Sequence, residues 1–275
     1  MATFQAQVTG LTNITISSSD TNPIESQLST FLTDGAKEII NILPYKLKQK
    51  AVSASILDDS PTTYDMDGGG EVLNVTRLSA NSGGFYIPCR EIPPMYGDLT
   101  NDSSSLYYAT VTDPVYWITS TAGGVSTLFV KPTTTANQPA NVYHIAYPTV
   151  VYSESVIANF PNEAEYLVVL YAAIKTLQNA MGAMDASIIH SDQDGSYSAS
   201  SASSQGWEKV RDLLHDEEDT ELASATASSL SAEMQQFIAE YQWMQGQQAK
   251  LNKDYDTGVT MLMTKAKPKA TEESK

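Results

Sequence analysis

Apolar residues recur in three rhythms along this chain of 275 residues. Ile24, Leu28, Phe31, Leu32, Ile39 and Leu43 keep the three-and-four spacing of one helix face, between Asn22-Pro23 and Pro44. Proline is tolerated in a first helical turn, where its missing N–H has no bond to lose, but it breaks a helix interior. The spacing predicts a helix over Pro23–Leu43, weakened slightly by Gly35. Ahead of it, Val8, Leu11, Ile14 and Ile16 are scattered among Thr, Ser and Asn. Residues 1–22 therefore read as an extended N-terminal arm.

From Val52 to Ser153 the rhythm shortens to two. Glu71–Leu78 alternates like a strand, Ser82-Gly83-Gly84 reads as a turn, and Phe85–Ile92 follows as a second strand. Tyr107–Thr110, Val115–Thr119, Ser126–Lys131 and Val142–Ala146 add β-rich segments, with Gly123-Gly124 as a hairpin turn. Pro93-Pro94 and Asp113-Pro114 mark loops or edge positions, because proline cannot donate to a ladder.

A helical rhythm returns at Phe160-Pro161-Asn162-Glu163, where early acidic residues suit the positive end of the helix dipole. Leu167, Leu170, Ile174, Leu177, Met181 and Met184 form one stripe, and Val168, Val169 and Ala172 make the opposite side apolar too. A helix greasy on most faces is a central one, covered by its own chain or by another subunit. Ser196–Gln205 is a Ser/Ala-rich linker, Trp207–His215 a short helix, and Asp216–Glu221 a charged run. Leu230, Met234, Phe237, Tyr241, Met244, Gln248 and Leu251 then alternate spacings of four and three, a heptad-like seam. That seam packs either on the earlier helices of the same chain or on a partner. Lys265–Lys275, with Pro268 and mixed charge, reads as a flexible tail.

The fold class expected is α+β: a helical bundle core with an inserted small β-rich module and extended terminal arms. The boundaries expected are an arm over 1–22, a helical core over 23–51 and 154–251, the β module over 52–153, and a C-terminal tail over 252–275.

Charge narrows the classes of function. Sixteen Lys and Arg stand against 32 Asp and Glu, a net charge of -16 with a pI near 4.4. Such a chain repels nucleic acid and anionic lipid at long range, and only Lys46, Lys48 and Lys50 gather cations outside the tail. The single cysteine, Cys89, supports no internal disulfide. MATFQAQVTG has neither the basic start nor the apolar core of a signal peptide, and the longest apolar run, Tyr166–Ala173, is closed soon after by Lys175. The expectation is a soluble protein made in the cytoplasm.

Candidate chemistry is sparse. Catalysis needs a nucleophile, a base and an orienting group together, and the three histidines, His144, His190 and His215, are scattered. His144 falls in a strand and reads as structural, His190 as a surface residue, and His215 as a charge partner at a helix C-terminus. Arg90 beside Cys89 could lower the thiol pKa, but a buried inert thiol is the simpler account. Asp65-Met-Asp67-Gly-Gly-Gly-Glu71 and Asp192-Gln-Asp194-Gly195 begin like calcium loops and lack the later ligands. No enzyme, metal site or cofactor is expected.

Phe160–Ala180 preceded by Tyr143–Pro148, together with Leu32–Pro44 and Leu106–Ile118, resembles the virion structural proteins of tailed phages of the head-to-tail adaptor type. The resemblance covers about two thirds of the chain and is one of pattern rather than of a catalytic signature. It implies a ring of copies, usually twelve, docked beneath the portal protein and meeting a tail or nozzle protein, in a virion assembled in the host cytoplasm. An acidic lumen would let DNA pass without sticking. The residues expected at subunit interfaces are Leu167, Leu170, Tyr171, Ile174, Leu177, Phe237, Tyr241 and Met244. Two other readings stand beside it. One is a different neck or tail component, such as a tail-tube-end or fibre-attachment protein. The other is a hydrolase or carbohydrate-binding module built on the β-rich insertion, with Tyr107, Tyr116 and Trp117 as a sugar platform.

Overall fold

The computed structural model describes residues 2–19, 23–66, 69–79, 84–120, 126–193 and 220–265. Helices and sheets are both present, as an α+β class requires. The chain divides into two compact units, one of residues 1–35, 150–155 and 166–264, the other of residues 36–149, 156–165 and 265–275.

The first unit is helical. Its opening corrects the expected extended arm, because α1 (Phe4–Thr12) is a helix. The Thr3 hydroxyl accepts the Ala6 N–H at 3.3 Å, and Asn13 closes the other end in the left-handed region at φ 55°. Phe4, Val8 and Thr12, four apart, are all buried. A cap at each end and one buried face outweigh the modest β preference of Thr and Val. The helix is tied down as well: the N–H groups of Phe4 and Gln5 donate to the carbonyls of Glu154 and Tyr152 at 2.8 and 3.0 Å.

Helix α2 (Glu25–Ile42) lies within the predicted span. Gln27 reaches back to accept the Ile24 N–H at 3.1 Å, which satisfies an orphan donor of the first turn, and Pro44 follows its end. Ser29 and Thr33 hold the strap at residues 150–152, their hydroxyls accepting the N–H groups of Tyr152 and Val150 at 3.2 and 3.0 Å.

Helix α4 (Asn162–Gln193) follows the short α3 (Tyr45–Lys48) and the strands in the chain. Leu167 through Leu170, Ala172, Ala173, Ile174 and Leu177 are buried on every side, as the all-round apolar pattern implied. By length and composition Asn162–Met184 could cross a membrane, but 61% of that window is buried within the chain, which is the position of a core helix. Gly35 lets α2 approach: a Cβ there would stand 2.8 Å from Tyr171 Cδ1.

The last helix, α5 (Thr220–Lys265), is 46 residues long, about 69 Å at 1.5 Å per residue. It corrects the tail boundary, since residues 252–265 continue the helix rather than begin a tail. The reason is packing. Leu251 is buried, the Tyr255 ring lies 6.3 Å from that of Tyr171, and a Cβ at Gly258 would stand 2.5 Å from Leu167 Cδ2. The linker at Ser196–Gln205, the short helix at Trp207–His215, the turns at Ser82-Gly83 and Gly123-Gly124, and the tail from 266 lie outside the described residues.

The second unit is a β sandwich. One sheet runs β1 (Val52–Leu57), β8 (Ala140–Ala146), β3 (Gly69–Leu78), β4 (Tyr86–Pro88), all antiparallel. The other runs β2 (Thr63–Asp65), β7 (Ser126–Lys131), β6 (Val115–Ser120), β5 (Arg90–Glu91), with β5 and β6 parallel. Leu57, Val75 and Val142 of the first sheet meet Tyr116, Leu128 and Val130 of the second in one core. The expected strand Phe85–Ile92 is in fact two, because the chain leaves one sheet at Pro88 and joins the other at Arg90, with Cys89 in the core between them. Tyr107–Thr110, expected as a strand, is irregular. Its residues stack and pack instead: Tyr107 lies on Tyr96 with ring centroids 4.2 Å apart, and Ala109 is buried beside Trp117.

Candidate interaction surfaces

Alternation along β6 decides the fate of the aromatic residues in the sandwich. Successive strand residues point to opposite faces, so Tyr116 enters the inter-sheet core while Val115 and Trp117 turn to the outer face. Sequence 92–110 folds over that outer face and buries Trp117, which stacks on Phe129 at 5.5 Å. Gly97 makes this cover possible, since a Cβ there would sit 2.9 Å from the indole. The Tyr116 hydroxyl donates to Glu91 Oε2 at 3.2 Å, and burial together with that carboxylate pushes its pKa up to about 12. Tyr107, Tyr116 and Trp117 therefore do not form an open sugar platform. A shallow cleft of about 340 Å³ lies nearby, lined by Glu91, Ile92, Pro93, Pro94 and Ile118.

Cys89 and Arg77 face one another at the end of the same core. Burial raises the thiol from 9.0 to about 12, and the Arg77 cation pulls only weakly the other way. The sequence pointed to Arg90 as the modulating cation. That residue pairs instead with Asp113 at 3.1 Å on the surface. Arg77 is fully buried and donates to the Thr133 carbonyl at 3.2 Å and to Gln138 Oε1 at 3.4 Å, pinning the 133–138 loop. A protonated, enclosed thiol is inert as a nucleophile. His144 is buried in β8, its ring 4.8 Å from that of Tyr64. His190 falls in α4, and His215 lies outside the described residues.

The cation cluster is largely paired. Lys48 binds Glu71 at 2.9 Å and Lys50 binds Glu163 at 2.6 Å, while Lys46 is exposed. Glu71, the last acidic residue of the first calcium-like loop, is thus engaged by a lysine. Asp67 and Asp194 lie outside the described residues. Among the described residues no three His, Cys, Asp or Glu side chains are grouped to hold a metal ion.

The expected interface residues divide into two sets. Leu167, Leu170, Ile174 and Leu177 are buried within the chain itself, as is Met244, so they are core and not docking surface. Tyr171 is half-buried between Gly35 and Tyr255, with the Lys175 ammonium 5.5 Å from its ring centroid. Phe237 and Tyr241 remain exposed on α5, joined by Met234 of the same seam at 53% and by two residues the sequence had not singled out, Ile238 at 53% and Trp243 at 46% exposure. On the sandwich, Met95, Leu99, Leu106 and Tyr108 project from the 92–110 cover, and Leu106 is 86% exposed. Loop residues of this kind carry no periodicity, which is why the pattern did not reveal them. No family model matches this chain, and no curated protein matches its sequence.

Proposed function

We propose that this chain is a structural subunit of a phage head-to-tail connector, present as a ring of copies beneath the portal protein and continuing into the tail. One observation carries the reading: each of the two units displays large apolar side chains from ordered backbone, Leu106 and Met95 on the sandwich and Met234 and Ile238 on α5. Large apolar side chains held exposed on an ordered scaffold cost free energy in water, and where they gather they mark contact with other macromolecules. A connector subunit needs at least two such surfaces, one for its neighbours in the ring and one for the layer above or below. The net charge of -16 is compatible with a lumen through which DNA slides without adhering.

The test is electron microscopy of this protein co-expressed with the portal protein of the same genome. An added layer on the tail-facing side of the portal ring, with twelve copies as the expected number, supports the connector. Bare portal rings beside free protein would refute it and favour another neck or tail component.

A further inference from the structure

We infer that the stretch Met234–Trp243 of α5 docks a helix of a different protein, one that is apolar along one face and flanked there by Lys or Arg. This rests on the assembly reading above and names the chemistry of one partner. Met234, Phe237, Ile238 and Tyr241 stand at the spacing of one helix face and are exposed. Methionine and aromatic residues of this kind dominate the centres of protein interfaces. From Met244, one turn beyond Tyr241, to Leu251 the same seam is covered by the chain's own residues, so the geometry of a helix–helix contact is already built.

Charge selects the partner. From Thr220 to Ala249 the helix carries Glu221, Glu233 and Glu240 and neither Lys nor Arg. Among the described residues Glu240 meets Gln236 at 3.0 Å and no cation. Glu240 directly precedes Tyr241 and so flanks the seam on one side. A basic rim on the partner would pair with it. A second copy of this stretch would not, because between Thr220 and Ala249 it brings no Lys or Arg to Glu240.

The probe is a synthetic amphipathic peptide with leucine on the seam and lysine on its flanks, compared with the same peptide carrying glutamate flanks. Binding is read by anisotropy of labelled peptide and by a blue shift of tryptophan emission, which Trp243→Phe should abolish while binding persists. The full-length chain should bind the lysine peptide saturably and ignore the glutamate peptide. Phe237→Asp should weaken binding at least about tenfold, as loss of an interface anchor does, although it adds a negative charge. Equal or tighter binding by Phe237→Asp would reduce the effect to bulk charge and overturn the proposal, as would equal binding of both peptides. Sedimentation of the chain alone as a dimer that Phe237→Asp dissociates would assign the surface to a second copy instead. Because portal-ring assembly is read separately, failed portal docking with intact peptide binding would sink the connector reading alone.

Discussion

Trp117 and Trp243 sit in segments of equally regular apolar pattern, yet one ring is sealed and the other is open to solvent. On β6 the pleat sends Tyr116 and Trp117 to opposite faces, and each face has its own cover: the second sheet on one side, sequence 92–110 on the other. On α5 the seam is covered at Met244 and Leu251 and uncovered from Met234 to Trp243. Periodicity therefore tells which side chains share a face, and it does not tell whether the chain itself supplies something to lie against that face. The same contrast runs within the helical unit, where α4 is enclosed and half of α5 is not.

Aspartate substitution should expose that contrast most strongly. Leu170 is 0% exposed, and Leu170→Asp buries a carboxylate without a partner, which costs on the order of 4 kcal/mol or more. Far-UV circular dichroism on heating should show a collapsed or absent transition. Ile238→Asp, on the uncovered half of α5, should leave the melting temperature unchanged. Equal losses in the two variants would mean that the α5 stripe is core after all.

Next in size is the N-terminal helix. An extended arm, as the pattern of residues 1–22 suggests, would lose side chains at no cost to the fold. With Phe4 and Val8 buried and two backbone bonds to the 152–154 strap, the opposite is expected. Phe4→Ala should lose about 3–5 kcal/mol by denaturant titration, the usual cost of emptying an aromatic core position. A loss near zero would restore the arm.

What the sequence disclosed and what it hid follow the same division. The α4 core, the span of α2, and strands β3, β6, β7 and β8 were legible because their apolar residues repeat at one period for long enough to be counted. The first helix was hidden because only Phe4, Val8 and Thr12 mark its face, and its caps, Thr3 and Asn13, are common loop residues. β1, Val52–Leu57, was missed for its serines, and the break at Cys89 is a change of sheet, which no local pattern encodes. Of the residues expected at interfaces, Phe237 and Tyr241, marked by the heptad spacing, lie exposed on α5. The α4 residues were misassigned, because a greasy helix looks the same whether its cover comes from its own chain or from another.

A pH scan sharpens the comparison from the sandwich side. Cys89 and Tyr116 both rise to about 12 in the fold, from 9.0 and 10.0, chiefly through burial. Below pH 9 both groups are protonated folded or unfolded, and their contribution to stability is fully present. Between about pH 9 and about pH 12 the unfolded chain ionises first and stability falls as pH rises. Urea titrations should show this decline, shallower in Cys89→Ala. An unchanged slope in that variant would mean that the thiol is open to solvent.

The smallest effects come from glycines in two helices, and here even the sign differs. Replacing glycine by alanine inside a helix gains about 1 kcal/mol from lower backbone entropy in the unfolded chain, provided the methyl group has room. At Gly246 in α5 nothing lies within 4 Å of the added Cβ, so Gly246→Ala should raise the melting temperature slightly. At Gly35 in α2 the same atom would stand 2.8, 3.1 and 3.2 Å from Cδ1, Cγ and Cβ of Tyr171. Contacts that run from the ring back to Cβ cannot be cleared by turning the ring, so α2 and α4 must part or Tyr171 must leave its rotamer. Overpacking of this kind costs about 1–3 kcal/mol, which exceeds the helix gain, and Gly35→Ala should be net destabilising. Paired thermal melts of the two variants should move in opposite directions. A rise in both would mean that the approach of α2 to α4 has slack, and that Gly35 is packed no more tightly than the solvent-facing side of α5 at Gly246.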